Sequence, residues 1–173
     1  MQQFYIDQTG VCLGSYDGPS ADSPLNGVAV ATPPENAMLQ RWDGSAWIWP
    51  TEVLRERQLA AVSERYLLAL QGGLAYGGKI LQIREQDQAN LTTMGNEARW
   101  AKMANAPWPS DFAWRMADDS FLALPNADAM IALAEAAKTE VYRLQRVKWA
   151  HVDAVRALTL SSDIAVYDSS TGW

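Results

Sequence analysis

The adjacent carboxylates Asp118 and Asp119 are the first place to look for chemistry, because paired acids can hold a metal or share proton transfers. They sit in WRMADDSFLAL between two apolar runs. Aspartate is favoured in such turns for the hydrogen bonds it makes to nearby backbone, so a turn is expected there. His151 is the only histidine and Cys12 the only cysteine. Ser-His-Asp and Cys-His arrangements therefore both depend on one imidazole placed within a helical heptad pattern. A lone cysteine excludes an internal disulfide and a multi-cysteine metal site. Gly72-Gly73 and Gly77-Gly78 follow no phosphate-binding spacing and read as a helix stop and a tight turn. The expectation is a non-enzymatic chain with no catalytic residue, no cofactor and no metal.

The elements that must carry any function follow from composition and pattern. The chain has 173 residues, 49% hydrophobic and 20% charged, which specifies a packed core. Its formal net charge is −6 with no basic run, which disfavours nucleic-acid binding. The apolar runs are too short to span a membrane, and the opening MQQFYIDQTG lacks the features of a secretory signal.

An α+β fold is expected, with a β-rich N-terminal part over 1–50 and a helix–hairpin–helix–hairpin–long-helix module over 51–173. FYID and VCLGSY read as strands around a turn at Gln8-Thr9-Gly10, followed by a loop over 17–27. VAVA is a third strand, stopped by Pro33-Pro34. In LQRW-DG-SAWIW, Asp43-Gly44 predicts a two-residue hairpin turn pairing Trp42 with Ser45. Trp42, Trp47 and Trp49 then share one face, a cover for a small sheet or a platform for a sugar.

A helix is predicted from Thr51 to the glycine stop, with its charged residues on a solvated face. Gly77-Gly78 joins LAY to KILQI, placing Tyr76, Leu81 and Ile83 on one face. A polar helix over 85–103 breaks near Gly95 and ends before Pro107 and Pro109. The next hairpin turns at Asp118-Asp119, which aligns Phe112, Trp114 and Met116 with Phe121 and Ala123. The ending SSDIAVYDSSTGW reads as a short strand-like piece.

Asn126 caps the last long element, uninterrupted by Pro or Gly from Ala127 to Leu160. As one helix it would span about 50 Å. Met130, Ala134, Ala137, Val141, Leu144, Lys148, His151, Val155 and Leu158 fall at 4-3 spacing, a coiled-coil-like seam interrupted by Lys148 and His151. Two uses of it are open. It packs on the chain's own hairpins, or several subunits bring their seams together with the polar pair fixing register.

The patterns FYIDQTGVCLGSYDG and PPENAMLQRWDGSAW resemble the opening of small proteins encoded beside phage tail-fibre genes. GGLAYGGKILQIREQDQANL and WRMADDSFLALPNADAMIALAEA resemble an uncharacterised domain that recurs in tailed-phage and prophage proteins, and DSSTGW resembles their usual ending. The resemblance implies a structural component of a tail tip, baseplate or tail fibre. Its partners would be other tail proteins and further copies of itself, as a trimer. Such a protein is assembled in the host bacterial cytoplasm and resides in the virion tail. Two other roles fit the resemblance: a tail-fibre assembly chaperone, and a host-receptor or sugar-binding module using the three tryptophans. The candidate interface residues are Trp42, Trp47, Trp49, Val141, Leu144, Lys148, His151 and Val155.

Overall fold

The computed structural model describes residues 2–19, 25–30 and 36–173. The expected stop at Pro33-Pro34, the end of the third strand at Ala31 and residues 20–24 of the first loop lie outside these. Contacts divide the chain into two compact units, Met1–Leu59 with Ala154–Tyr167, and Ala60–Asp153 with Asp168–Trp173. The boundary expected at residue 50 thus falls inside the first unit.

In the first unit, β1 (Gln2–Ile6), β2 (Cys12–Asp17) and β3 (Val28–Val30) form an antiparallel sheet in the order β2-β1-β3. Tyr5, Ile6, Cys12 and Val30 are its buried residues. A second ribbon pairs β4 (Arg41–Trp42) with β5 (Trp47–Ile48). Its register corrects the expected one, because Trp42 lies opposite Trp47 and not Ser45. One Asp43 carboxylate oxygen accepts hydrogen bonds from the Ser45 and Ala46 backbone N–H groups at 2.9 and 2.8 Å and from the Ser45 hydroxyl. These bonds favour a four-residue loop over the two-residue turn. The shift is an even number of residues, so Trp42 and Trp47 still share a face.

Helix α1 (Thr51–Gly72) begins in this unit, and its polar side chains are not all solvated as expected. Arg55 donates to the Leu158 carbonyl at 3.0 Å, and Gln58 to the Ile164 carbonyl at 2.9 Å. The segment they hold is a second correction. Ser161–Ala165 forms a short helix, α4, with Ile164 buried, where a strand-like piece was expected.

The second unit is built around β6 (Leu74–Tyr76), β7 (Lys79–Leu81), α2 (Glu85–Ala104), β8 (Ala113–Arg115), β9 (Phe121–Ala123) and α3 (Ala127–Ala157). Gly77 and Gly78 have φ angles of 58° and 77°, the left-handed geometry that a two-residue hairpin turn requires of both central positions. Tyr76 and Leu81 therefore point inward as expected, and Leu81 and Ile83 are fully buried.

The β8–β9 hairpin differs from expectation by one residue. The Met116 N–H donates to the Ser120 carbonyl, and Asp119 adopts φ 63°, so the loop holds three residues and not two. A one-residue change reverses the faces of the returning strand. Leu122 and Leu124 consequently face the core, while Phe121 and Ala123, expected inside, face the other way.

Helix α2 runs unbroken through Gly95, which corrects the expected break. A Cβ at Gly95 would lie 2.8 Å from the Ala134 Cβ, so the glycine marks the close approach of α2 to α3. Asn126 caps α3 as expected, its side-chain oxygen accepting from the Ala129 N–H at 2.9 Å. Met130, Leu133, Ala134, Ala137 and Leu144 of α3 join Leu91 and Ala98 of α2 in one buried cluster with Leu70, Met116 and Leu124.

Candidate functional site

Much of the seam of α3 is covered by the chain itself, which narrows the candidate surface. Within the second unit Leu144 is buried in the core cluster and His151 is 8% exposed. His151 is covered by the chain's own last residues. Its Nε2 lies 2.9 Å from the Thr171 carbonyl, which can only accept, so Nε2 carries the proton. The Trp173 ring stacks on the imidazole with centroids 5.5 Å apart and planes 15° from parallel. Trp173 Nε1 donates to the Ser169 carbonyl at 2.7 Å, and Arg143 donates to the Gly172 carbonyl at 2.8 Å. Arg65 of α1 donates to the buried Ser169 hydroxyl at 3.1 Å. Lys148 is likewise engaged, its ammonium 4.8 Å from the centre of the Tyr66 ring. The two polar residues that interrupt the heptad thus hold intrachain partners, and the seam is used within the chain.

Val141 is the exception. It is half-buried at the floor of a cleft of about 340 Å³, between α2 and α3 and beside Tyr66 of α1. Leu91, Ala134 and Ala137 complete an apolar floor, while Thr92, Lys138, Tyr142 and Gln145 rim it. Burial holds the Tyr66 phenol above its ordinary value of 10.0, so the hydroxyl stays neutral at physiological pH. An apolar floor rimmed by hydrogen-bonding groups and the Lys138 ammonium is suited to holding an apolar side chain or small ligand.

The turn chemistry expected at Asp118 recurs in three further loops. Asp7-Gln8-Thr9, Asp43-Gly44-Ser45, Asp118-Asp119-Ser120 and Asp168-Ser169-Ser170 each place an aspartate two residues before a hydroxyl residue. In each, the carboxylate accepts the backbone N–H of that residue, at 2.8 to 3.1 Å. The repeated Asp-x-Ser/Thr spacing was the available signal. Asp118 therefore works as a turn residue, and Asp119 pairs with Arg115 at 2.9 Å. Among the described residues no cluster of three metal-ligating side chains occurs.

Hydrogen bonds hold all four carboxyls below the ordinary 3.8, led by those from Thr9, Ala46, Ser120 and Ser170 respectively. A depressed native pKa adds stability that is complete above the unfolded value and is lost as pH falls through the native one. Chemical-denaturation midpoints should hold steady down to about pH 4 and fall below it. Asparagine at all four positions should flatten that fall. An unchanged acid limb would refute the assignment.

In the first unit the indoles of Trp42 and Trp47 meet edge to face at 5.8 Å, and Arg57 lies 4.6 Å from the Trp49 ring centre. All three tryptophans are half-buried. Trp47→Ala should cost about 1 kcal/mol beyond the lost apolar area, read by thermal denaturation. A stable variant with no such loss would restore these rings as a free platform. Val155, the remaining candidate, is fully buried in this unit.

The architecture defines a mixed α+β protein in which α2 and α3 bound an open cleft. Residues 53–171 match the family described as Domain of unknown function (DUF4376), and the chain belongs to that family. No curated protein and no solved structure matches the chain.

Proposed function

We propose that the protein is a structural, non-enzymatic component of a phage tail tip, baseplate or tail fibre, acting through association with other tail proteins. It is assembled in the host cytoplasm and carried in the virion tail. The phage context rests on the resemblance of FYIDQTGVCLGSYDG, GGKILQIREQDQANL and WRMADDSFLAL to tail-associated proteins. The mode of action is supported by one observation on the second unit: large apolar side chains left in water. Met103 is 88% exposed, and Trp100, Phe121, Tyr142 and Trp149 are each at least half exposed. Trp100 and Met103 lie three residues apart on α2, and Tyr142 and Trp149 seven residues apart on α3, so each pair shares a helix face as on surfaces that another protein covers.

Retention in purified particles tests the reading. A protein bound to the fibre in lysates and missing from particles is an assembly chaperone. Loss of adsorption on replacing Trp42, Trp47 and Trp49 in a folded protein would favour the receptor-binding role.

A further inference from the structure

Helix α3 carries a second stripe, distinct from its buried seam. At 100° per residue, Lys138, Tyr142, Gln145, Arg146, Trp149 and Asp153 fall within one arc of the helix. Tyr142 is 58% and Trp149 50% exposed, two aromatics on one face about 10 Å apart along the axis. Neither Arg146 nor Asp153 has an ion-pair partner among the described residues, and Lys138 reaches Glu135 only at 3.8 Å.

The order of these residues is self-complementary. Tyr142 and Trp149 lie equally far to either side of the Gln145–Arg146 peptide, and so do Lys138 and Asp153. Two copies of α3 laid antiparallel about a two-fold axis through that peptide bring Tyr142 against the partner's Trp149. The same operation sets Lys138 against the partner's Asp153 and Gln145 against the partner's Arg146. Each contact occurs twice, as a closed two-fold interface requires. A parallel arrangement would instead stack like on like, Lys138 beside the partner's Lys138.

We infer that this stripe is the surface on which a second copy of the chain docks, giving an antiparallel homodimer in place of the trimer expected for a tail component. The seam is closed to a partner because Leu144 and His151 are buried within the chain. Tyr142 and Gln145 also rim the cleft above Val141, so the partner's Trp149 packs at its mouth. Alternating opposite charges at the ends of the stripe fix the antiparallel register. The inference concerns the purified chain and stands whether or not the tail reading does.

Sedimentation of the full chain over a wide concentration series tests it. A monomer–dimer equilibrium is expected, weakened about a hundredfold by Trp149→Ser. Lys138→Asp or Asp153→Lys alone should weaken it about tenfold, because each disrupts both copies of an exposed pair. The two reversals together place opposite charges face to face again and should regain the dimer. Circular dichroism checks the folding of each variant, and the charge variants suffice if Trp149→Ser fails to fold. Arg146→Cys in a Cys12→Ala background should oxidise to a covalent dimer, since the position lies beside the axis. A monomer at every concentration, a trimer, indifference to the single reversals, or no recovery in the double variant would each overturn the proposal.

Discussion

Gly95→Leu is expected to destabilise the protein by about 3 kcal/mol, lowering its melting temperature by about 10 °C. The reason is geometric. Even a Cβ at this position would approach the Ala134 Cβ to 2.8 Å, closer than carbon atoms pack. Neither side can yield cheaply, because Leu91, Ala98, Met130, Leu133 and Ala137 are all buried in the core these helices share. Two opposing effects then decide Gly95→Ala. Alanine improves helix propensity by about 1 kcal/mol, while the clash pushes the helices apart. The clash should win in the native background. It should lose once Ala134→Gly removes the opposing methyl, so the two substitutions should be coupled favourably in a double-mutant cycle. Additive effects in thermal denaturation would show that α2 and α3 do not meet at this point.

Trp173→Ala is the second large effect, with an expected loss of about 3 kcal/mol. It removes the ring stacked on His151 and the hydrogen bond to the Ser169 carbonyl, and it uncovers part of the core cluster. His151→Ala should lose less, because its ring is the smaller partner. The pair should couple by about 1 kcal/mol when both are replaced. Their coupling separates a docked C-terminal segment from one that merely lies nearby. Independent effects of the two substitutions in urea denaturation would contradict the stacked geometry.

How much of this was legible beforehand depends on how local each cause is. The glycine stop of α1, the Gly77-Gly78 turn and the Asn126 cap are specified within a few residues, and the α+β class followed from them. The β8–β9 register was not, because it turned on whether Asp119 takes a left-handed backbone. That one residue of loop length decides whether Phe121 or Leu122 enters the core. At Gly95 the helix-breaking tendency of glycine was overridden by a neighbour far along the chain.

The site was legible in the same uneven way. Heptad spacing placed Met130, Ala134, Ala137, Leu144, His151 and Val155 on the buried line of α3, but it missed the buried Leu133, ran past the helix end to Leu158, and does not say what covers the line. The cover over His151 is Trp173, and the residue over which Lys148 sits is Tyr66, both remote in sequence. Aspartate turn chemistry was legible at Asp118, and the same Asp-x-Ser/Thr spacing marks the loops at Asp7, Asp43 and Asp168. The exposed stripe of α3 emerges only once the buried face is known, because exposure and not residue type distinguishes Tyr142 and Trp149 from core aromatics.

The most direct test of the proposed tail role is quantitative mass spectrometry of virions purified from a culture producing the chain, measured against a tail protein of known copy number. The protein is expected at a fixed, stoichiometric ratio that survives repeated purification. Its absence from infectious particles, with the protein left behind in the lysate, would contradict a structural role in the tail.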